Sequence, residues 1–462
     1  MRRLFTIALG LSVVVLLAVV AAALAIGLPR NAAGMAARSV CSGAFVAGRP
    51  WQTVLAADVL PASGVLRLLD VTVDSTARTV RAGLAGGFER RASHLGLRGC
   101  VLDAAPDHAT VPPAAPVERR APWPRGDSPD GVAPGRLQAL ADAAFVGAGD
   151  PATANARGLA VVHQGRLLVL RHAEGFGATT PMHGWSMTKT VLGMLTHQVA
   201  AEREPPLDRP VVDAFVPDRE PAWAARWRAD ARKAVTVQDL LWMRDGLANV
   251  EGYAPWGAVP RLLWSGPDVA GLAAAAGAEA PAGTRWRYSS ATANLLARVL
   301  RGRFASDAEY WAYAKQALFD PIGAETAVLE TDADGTWIAS SYLWASTADW
   351  ARLGLLMLQD GRWGERQVLA PGWLARAATP AVPDGKGRGY GAQTWLIGHP
   401  SEGECRGHGL PPDAMAMIGH WGQIVAMVPS RQVVAVRLGW TYVSDAFRPC
   451  EFVAGVLKAL PD

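Results

Sequence analysis

The chain has 462 residues, 50% of them hydrophobic and 19% charged, which excludes an intrinsically disordered protein and leaves room for two to three domain equivalents. Its 45 basic and 41 acidic residues give a formal net charge of only +4, with no basic run longer than a pair, so a nucleic-acid partner is not expected. No internal repeat, phosphate-loop or zinc-finger pattern occurs in it.

Residues 1–30 read as a targeting segment. Arg2 and Arg3 precede an uncharged apolar run from Leu4 to Leu28, closed by Pro29 and Arg30. A run of this length exceeds the roughly 20 residues that cross a bilayer. The expectation is therefore a single-pass anchor in the inner membrane, with the body in the periplasm. A signal cleaved among the small residues from Ala21 to Ala25 is the alternative. Cys41, Cys100, Cys405 and Cys450 form an even set suited to an oxidising compartment. Three pairings are open, and sequence proximity favours Cys41–Cys100 with Cys405–Cys450. Without a Cys-x-x-Cys, neither a zinc site nor a redox dithiol is expected.

Residues 31–105 carry short β-type runs, Val54-Leu55, Val65 to Leu69, Val71 to Val73 and Thr79 to Gly83, split by turn residues. They read as a small β-rich accessory module without a catalytic constellation. Residues 106–134 hold eight prolines and read as an extended linker, or one wrapped along the main domain.

The main domain is expected over residues 135–462. Arg136 to Phe145 predicts an amphipathic helix, and Gly158 to Arg171 predicts two strands around a Gln164-Gly165 turn. The stretch Gly184 to Thr190 follows, in which Ser186 and Lys189 are three positions apart and share a helix face. A serine in the first helical turn brings its own N–H as a donor for an oxyanion. A partly desolvated lysine beside it can lose its proton and activate the hydroxyl. Val191, Leu192, Met194, Leu195 and Val199 continue the helical period. Thr236 stands at an N-cap position ahead of a helix that ends at Met243 to Leu247.

Two further patches add chemistry. Arg287 to Ser290 precedes a helix at Ala293 to Leu300, and Tyr288 could present a phenolate or proton relay there, the alternative being ring packing. Near the C-terminus, Gly419 to Gln423 precedes two strands, Ile424 to Val428 and Val433 to Gly439, joined at Pro429-Ser430-Arg431. A strand beside the nucleophile could lend a second oxyanion donor, and His420 could line the pocket or be a satisfied strand-end histidine. Eighteen tryptophans are many for this length. Trp185, Trp256, Trp264, Trp286 and Trp421 lie near the site segments and could form an aromatic pocket.

The ordered set Trp185 to Lys189, Met243 to Leu247, Tyr288 to Ser290, Ala339 to Thr347 with Asp349 to Gly354, and Gly419 to Gln423 resembles the serine β-lactamase and penicillin-binding-protein superfamily. The resemblance covers about seven-tenths of the chain. It is nearest to the class C and esterase-like branch that includes 6-aminohexanoate-dimer hydrolase. What it implies is an α+β fold, an antiparallel sheet flanked by helices beside an all-α subdomain, with the site between them. It also implies Ser186 as acylated nucleophile, Lys189 as general base or its orienting partner, and Tyr288 as the group exchanging protons with leaving group and water. The oxyanion hole would pair the Ser186 N–H with a donor between Met417 and His420. Tyr253, Ser290, His420, Trp421 and Gly422 would contact substrate.

Two departures matter. No Lys-Thr-Gly or His-Thr-Gly precedes Gly419, where Ala414-Met415-Ala416 stands, and Ser290 replaces the asparagine of class C lactamases. Both count against an efficient β-lactamase and favour hydrolysis of a small ester or linear amide, with no metal or organic cofactor. The alternatives are a D-amino-acid peptidase, or a non-catalytic protein of the penicillin-binding fold that binds cell-wall fragments or a partner.

Overall fold

The computed structural model describes residues 22–84, 87–104, 121–203, 206–382, 389–400 and 405–461, with residues 12 and 18 alone before them. Gly27, with a left-handed φ of 71°, breaks the helical path, and α1 (Leu28–Cys41) starts behind it. Ala32, Ala33, Gly34, Ala36 and Ala37 are buried along α1. Small side chains bring its backbone close to its neighbours, and a side chain at Gly34 would meet the Trp264 carbonyl. Four antiparallel strands follow, β1 (Leu69–Asp74), β2 (Thr79–Leu84), β3 (Gly87–His94) and β4 (Cys100–Leu102), in that spatial order. Helix α1 lies on β2 and β3, and Cys41 pairs with Cys100.

The helix is tied down by a buried cluster. Arg38 pairs with Glu330 at 3.4 Å, donates to the Thr331 carbonyl at 2.9 Å and stacks on the Tyr342 ring. Glu330 also accepts from the Ser42 hydroxyl at 2.8 Å and the Cys100 N–H at 2.9 Å. Residues 28–104 thus share one core with the main domain.

Two expectations for this region are corrected. Val54-Leu55 is helical, within turns over Trp51–Val54 and Leu55–Val59, and Val65 to Leu68 lies in a 3₁₀ turn. A short apolar run fits either conformation, and Pro50 ahead of Trp51 favours a helical start. The inner-membrane anchor, and the membrane partner and periplasmic address that rested on it, are not supported. Among the described residues no helix is long and apolar enough to cross a membrane. Most of the run from Leu4 to Leu28 lies outside the described residues, and the chain directly behind it is folded into the protein's own core.

The Pro-rich stretch lies outside the described residues as far as residue 120. Beyond it the chain clasps the main domain. Arg352 donates to the carbonyls of Pro124 at 3.1 Å and Gly126 at 2.8 Å and pairs with Asp127.

Helix α2 (Gly135–Ala144) leads into β5 (Ala156–His163) and β6 (Arg166–His172), whose turn places Gln164 and Gly165 at φ 51° and 76°. These left-handed angles are those a two-residue hairpin demands. After β7 (Met182–His183), helix α3 (Thr188–Glu202) opens the helical subdomain, which includes α4 (Val237–Leu241) and α5 (Ser290–Arg301). Thr236 caps α4 in a capping box with Asp239, and Ser289 caps α5. The chain returns through β8 (Val328–Leu329), β9 (Leu343–Ala345), α6 (Thr347–Leu358) and a hairpin of β10 (Arg362–Trp363) and β11 (Arg366–Gln367). It ends in β12 (Met415–Gly419), β13 (Gln423–Val428), β14 (Val433–Gly439) and α7 (Pro449–Ala459).

The central sheet runs β12-β13-β14-β5-β6 with every neighbour antiparallel. Both faces are covered, so its inner strands are largely apolar on both faces instead of alternating, with Arg157 and Arg437 buried as exceptions. Leu159 and Val161 face α2 and α7, whereas Ala160 and Val162 face the α3 and α6 side. Cys405 pairs with Cys450 at the start of α7.

Candidate active site

Ser186 sits on a 3₁₀ turn, Trp185–Met187, that runs directly into α3. Trp185 ahead of it has φ 49°, a left-handed conformation costing about 1–2 kcal/mol in a non-glycine residue. The turn is held from below, because Gly184 donates to the Leu343 carbonyl at 2.8 Å and Thr188 Oγ1 accepts from the Leu343 N–H at 3.1 Å. A side chain at Gly419 would collide with the Gly184 carbonyl, so the glycine lets edge strand β12 close on the nucleophile.

Lys189, on the first turn of α3, is fully buried beneath Ser186. Its Nζ lies 2.9 Å from Ser186 Oγ, 3.1 Å from Ser290 Oγ and 2.8 Å from the Ser340 carbonyl. Burial lowers its pKa to about 8, with the Glu251 charge opposing the shift. Ser340 is itself fixed, donating its N–H to Asn294 Oδ1 at 3.2 Å and accepting from Asn294 Nδ2 at 3.1 Å.

Ser290, at the start of α5, gives both of its donors to one carboxylate. Its hydroxyl donates to Glu251 Oε1 at 2.8 Å and its N–H to Oε2 at 2.8 Å. The structure thus sets Ser290 between Lys189 and Glu251. The site roles of Glu251, Ser340, Asn294, Tyr390 and Trp395 escaped the sequence reading, although Ser340 lies in the Ala339 to Thr347 stretch and Asn294 in the Ala293 to Leu300 helix. Glu251 lies 39 positions before Ser290, on a loop with no local signature.

The Tyr288 and Tyr253 phenols both lie near enough to the Ser186 hydroxyl to be influenced by it electrostatically. Lys189 Nζ stands 4.9 Å from the Tyr288 ring centroid. Burial, then Tyr390, Tyr253 and Glu251, push the Tyr288 phenol well above its ordinary range. The phenolate suggested for Tyr288 is therefore disfavoured, and the group is a neutral phenol. Burial and Glu251 push Tyr253 up as well.

On the other side of Ser186 stands an aromatic wall. Tyr253 stacks on His420 at 4.2 Å, and Trp185 meets His420 at 5.4 Å and Trp421 at 5.1 Å, both edge-on. Burial lowers the His420 pKa to about 4, which leaves the ring neutral. Trp264 lines the same side, Trp286 packs against Tyr390 near Tyr288, and Trp256 is exposed. Gly422 is not part of this wall. It sits in the β12–β13 turn at φ 81°, where a side chain would strike Arg437, Phe447 and Thr441.

Residues 138–449 match the protein family described as Beta-lactamase. No curated protein matches the chain. Among solved structures, a protein from Bacillus anthracis provisionally named a 6-aminohexanoate-dimer hydrolase is similar, with a TM-score of 0.55 and 19% identity over 78% of this chain and 91% of that one. A penicillin-binding-protein homologue from Caulobacter crescentus gives 0.52 and 18%, covering 72% of this chain and 100% of that one. A family VIII carboxylesterase gives 0.51 and 15%, again over 72% and 100%. At these identities the likeness is one of fold.

Proposed function

The chain belongs to the Beta-lactamase family, and from that premise we propose that it hydrolyses a small amide or ester through an acyl-enzyme on Ser186. The observation that carries this reading is the buried Lys189 amine 2.9 Å from Ser186 Oγ, with its pKa lowered to about 8.

A count of protons says which way the amine points. Ser340 offers a carbonyl, which can only accept. Ser290 has given its hydroxyl proton to Glu251, so towards Lys189 it too can only accept. A neutral lysine has two N–H donors and one lone pair. The two donors go to Ser340 and Ser290, and the lone pair is left facing the Ser186 hydroxyl. Lys189 then takes that proton as Ser186 Oγ attacks the substrate carbonyl, and the C–O bond to Ser186 forms as charge collects on the carbonyl oxygen.

Two N–H groups suit that charge. One is that of Ser186, in a first turn whose donors lack intrahelical partners. The other is that of Ile418. Ala416 turns its N–H and carbonyl outward to Trp395, at 2.8 and 3.1 Å, so with the strand's period of two Ile418 also turns outward, on the edge packed against the Ser186 turn. Collapse of the intermediate expels the amine or alcohol, which takes a proton from Tyr288 with Lys189 behind it. Water then attacks the acyl-enzyme and the same groups run in reverse.

Intact-mass spectrometry with a panel of nitrophenyl esters, linear amides and β-lactams tests the reading. One acyl group per wild-type chain is expected with an ester or amide, and none on Ser186→Ala. An adduct that survives the substitution would refute it.

A further inference from the structure

Beside Trp185, the residue before Ser186, lies a cavity of about 90 Å³ that opens to solvent. Its inner wall is the aromatic group Trp185, Tyr253, His420 and Trp421, and its outer wall comes from Leu28, Ala32 and Met35 of α1 with Val65 and Leu66 of the turn before β1. Resting on the hydrolase reading, we infer that the N-terminal segment completes an acyl pocket, and that the preferred substrate carries an extended, uncharged apolar acyl group.

Three observations carry this. First, the walls bear no Asp, Glu, Lys or Arg among the described residues, and His420 is neutral, so no cation there would pair with a substrate carboxylate; the polar groups on the walls, such as the Asn31 amide and the Ser63 hydroxyl, are uncharged. Second, the cavity adjoins the Ser186 turn, since Trp185 lines it and directly precedes Ser186 on that turn. Third, Lys189, Ser290 and Tyr288 are not part of its lining. The leaving group must receive its proton on their side of Ser186, which leaves the cavity for the acyl half. The outer wall is preformed, because α1 is clamped by Arg38 on Glu330 and by Cys41 on Cys100.

The test uses the full chain and nitrophenyl esters from acetyl through butanoyl and octanoyl to decanoyl. Each buried methylene should raise kcat/KM about fourfold until the cavity is full. Acetyl esters of alcohols of rising length should show no comparable slope. In Met35→Trp, which fills the outer half, the decanoyl-to-acetyl ratio of kcat/KM should fall about tenfold or more. Met35→Ala, which enlarges it, should move the optimum to longer chains and serves should the larger residue fail to fold. A flat acyl series, a steep alcohol series, or unchanged ratios in the folded variants would overturn the pocket while leaving the hydrolase reading intact. Failure of every ester to acylate Ser186 would overturn both.

Discussion

The two sides of Ser186 are built by opposite means. On the Lys189 side each polar group has a partner that dictates its orientation, from Asn294 through Ser340 to the amine and from Glu251 through Ser290 to the same amine. On the Trp421 side position is set by ring packing, with Trp421 against Trp185, Trp440 and Tyr442, and with a borrowed wall from α1. Directional bonds fix where a proton goes. Non-directional packing fixes only shape, so the second side can change its substrate while the first keeps its chemistry.

The largest effect should come from breaking the polar side at its centre. Lys189→Met leaves the Ser186 hydroxyl without a base, and turnover should fall by roughly 10²–10⁴-fold. In the wild type only the unprotonated amine is active. The pH profile of kcat/KM should therefore rise with pH and level off above about 8, where Lys189 has lost its proton. A profile flat from pH 6 to 9 would mean that another group takes the proton.

The packed side breaks through its clamp. Arg38→Met leaves the Glu330 carboxylate buried without its cation, a change that costs about 3–5 kcal/mol. Burial already raises the Glu330 pKa, and removing Arg38 raises it further, so folding then favours the protonated acid. The penalty should be small at acid pH, where the carboxyl takes up a proton, and grow as pH rises through neutrality. Melting temperatures at pH 5 and pH 8 check this, and an equal loss at both would refute it.

The same contrast governs what could be read from sequence. Ser186 and Lys189 are three positions apart on one helix face, and Thr236 and Asp239 cap a helix at a spacing that local rules describe. The hairpin at Gln164-Gly165 and the strands from Ile424 onward were legible for the same reason. Glu251 was not, because its role exists only once its loop folds over Ser290, and Tyr390 and Trp395 reach Tyr288 from a still more distant segment. Gly422 was read as a pocket residue because a glycine beside a site motif allows close approach. Its neighbours show a turn glycine instead. The apolar run from Leu4 to Leu28 read as lipid-facing from hydropathy alone; most of it lies outside the described residues, and α1 directly behind it is packed in protein.

The smallest predicted effect is also the most discriminating for the polar side. Glu251→Gln keeps an oxygen to accept the Ser290 hydroxyl but turns an NH₂ towards the Ser290 N–H, donor against donor. The orientation of the Lys189 lone pair loosens, and the plateau of kcat/KM at high pH should fall about tenfold. The substitution also removes a negative charge that holds the Lys189 pKa up, so the rising limb should move to lower pH than about 8. More of the lysine is then unprotonated near pH 7, and the deficit there should be smaller than at pH 9. A residue that merely packed its loop could lower the plateau but would leave the limb where it was. An unmoved limb would therefore remove Glu251 from the proton count and leave the direction of the Lys189 lone pair without its second constraint.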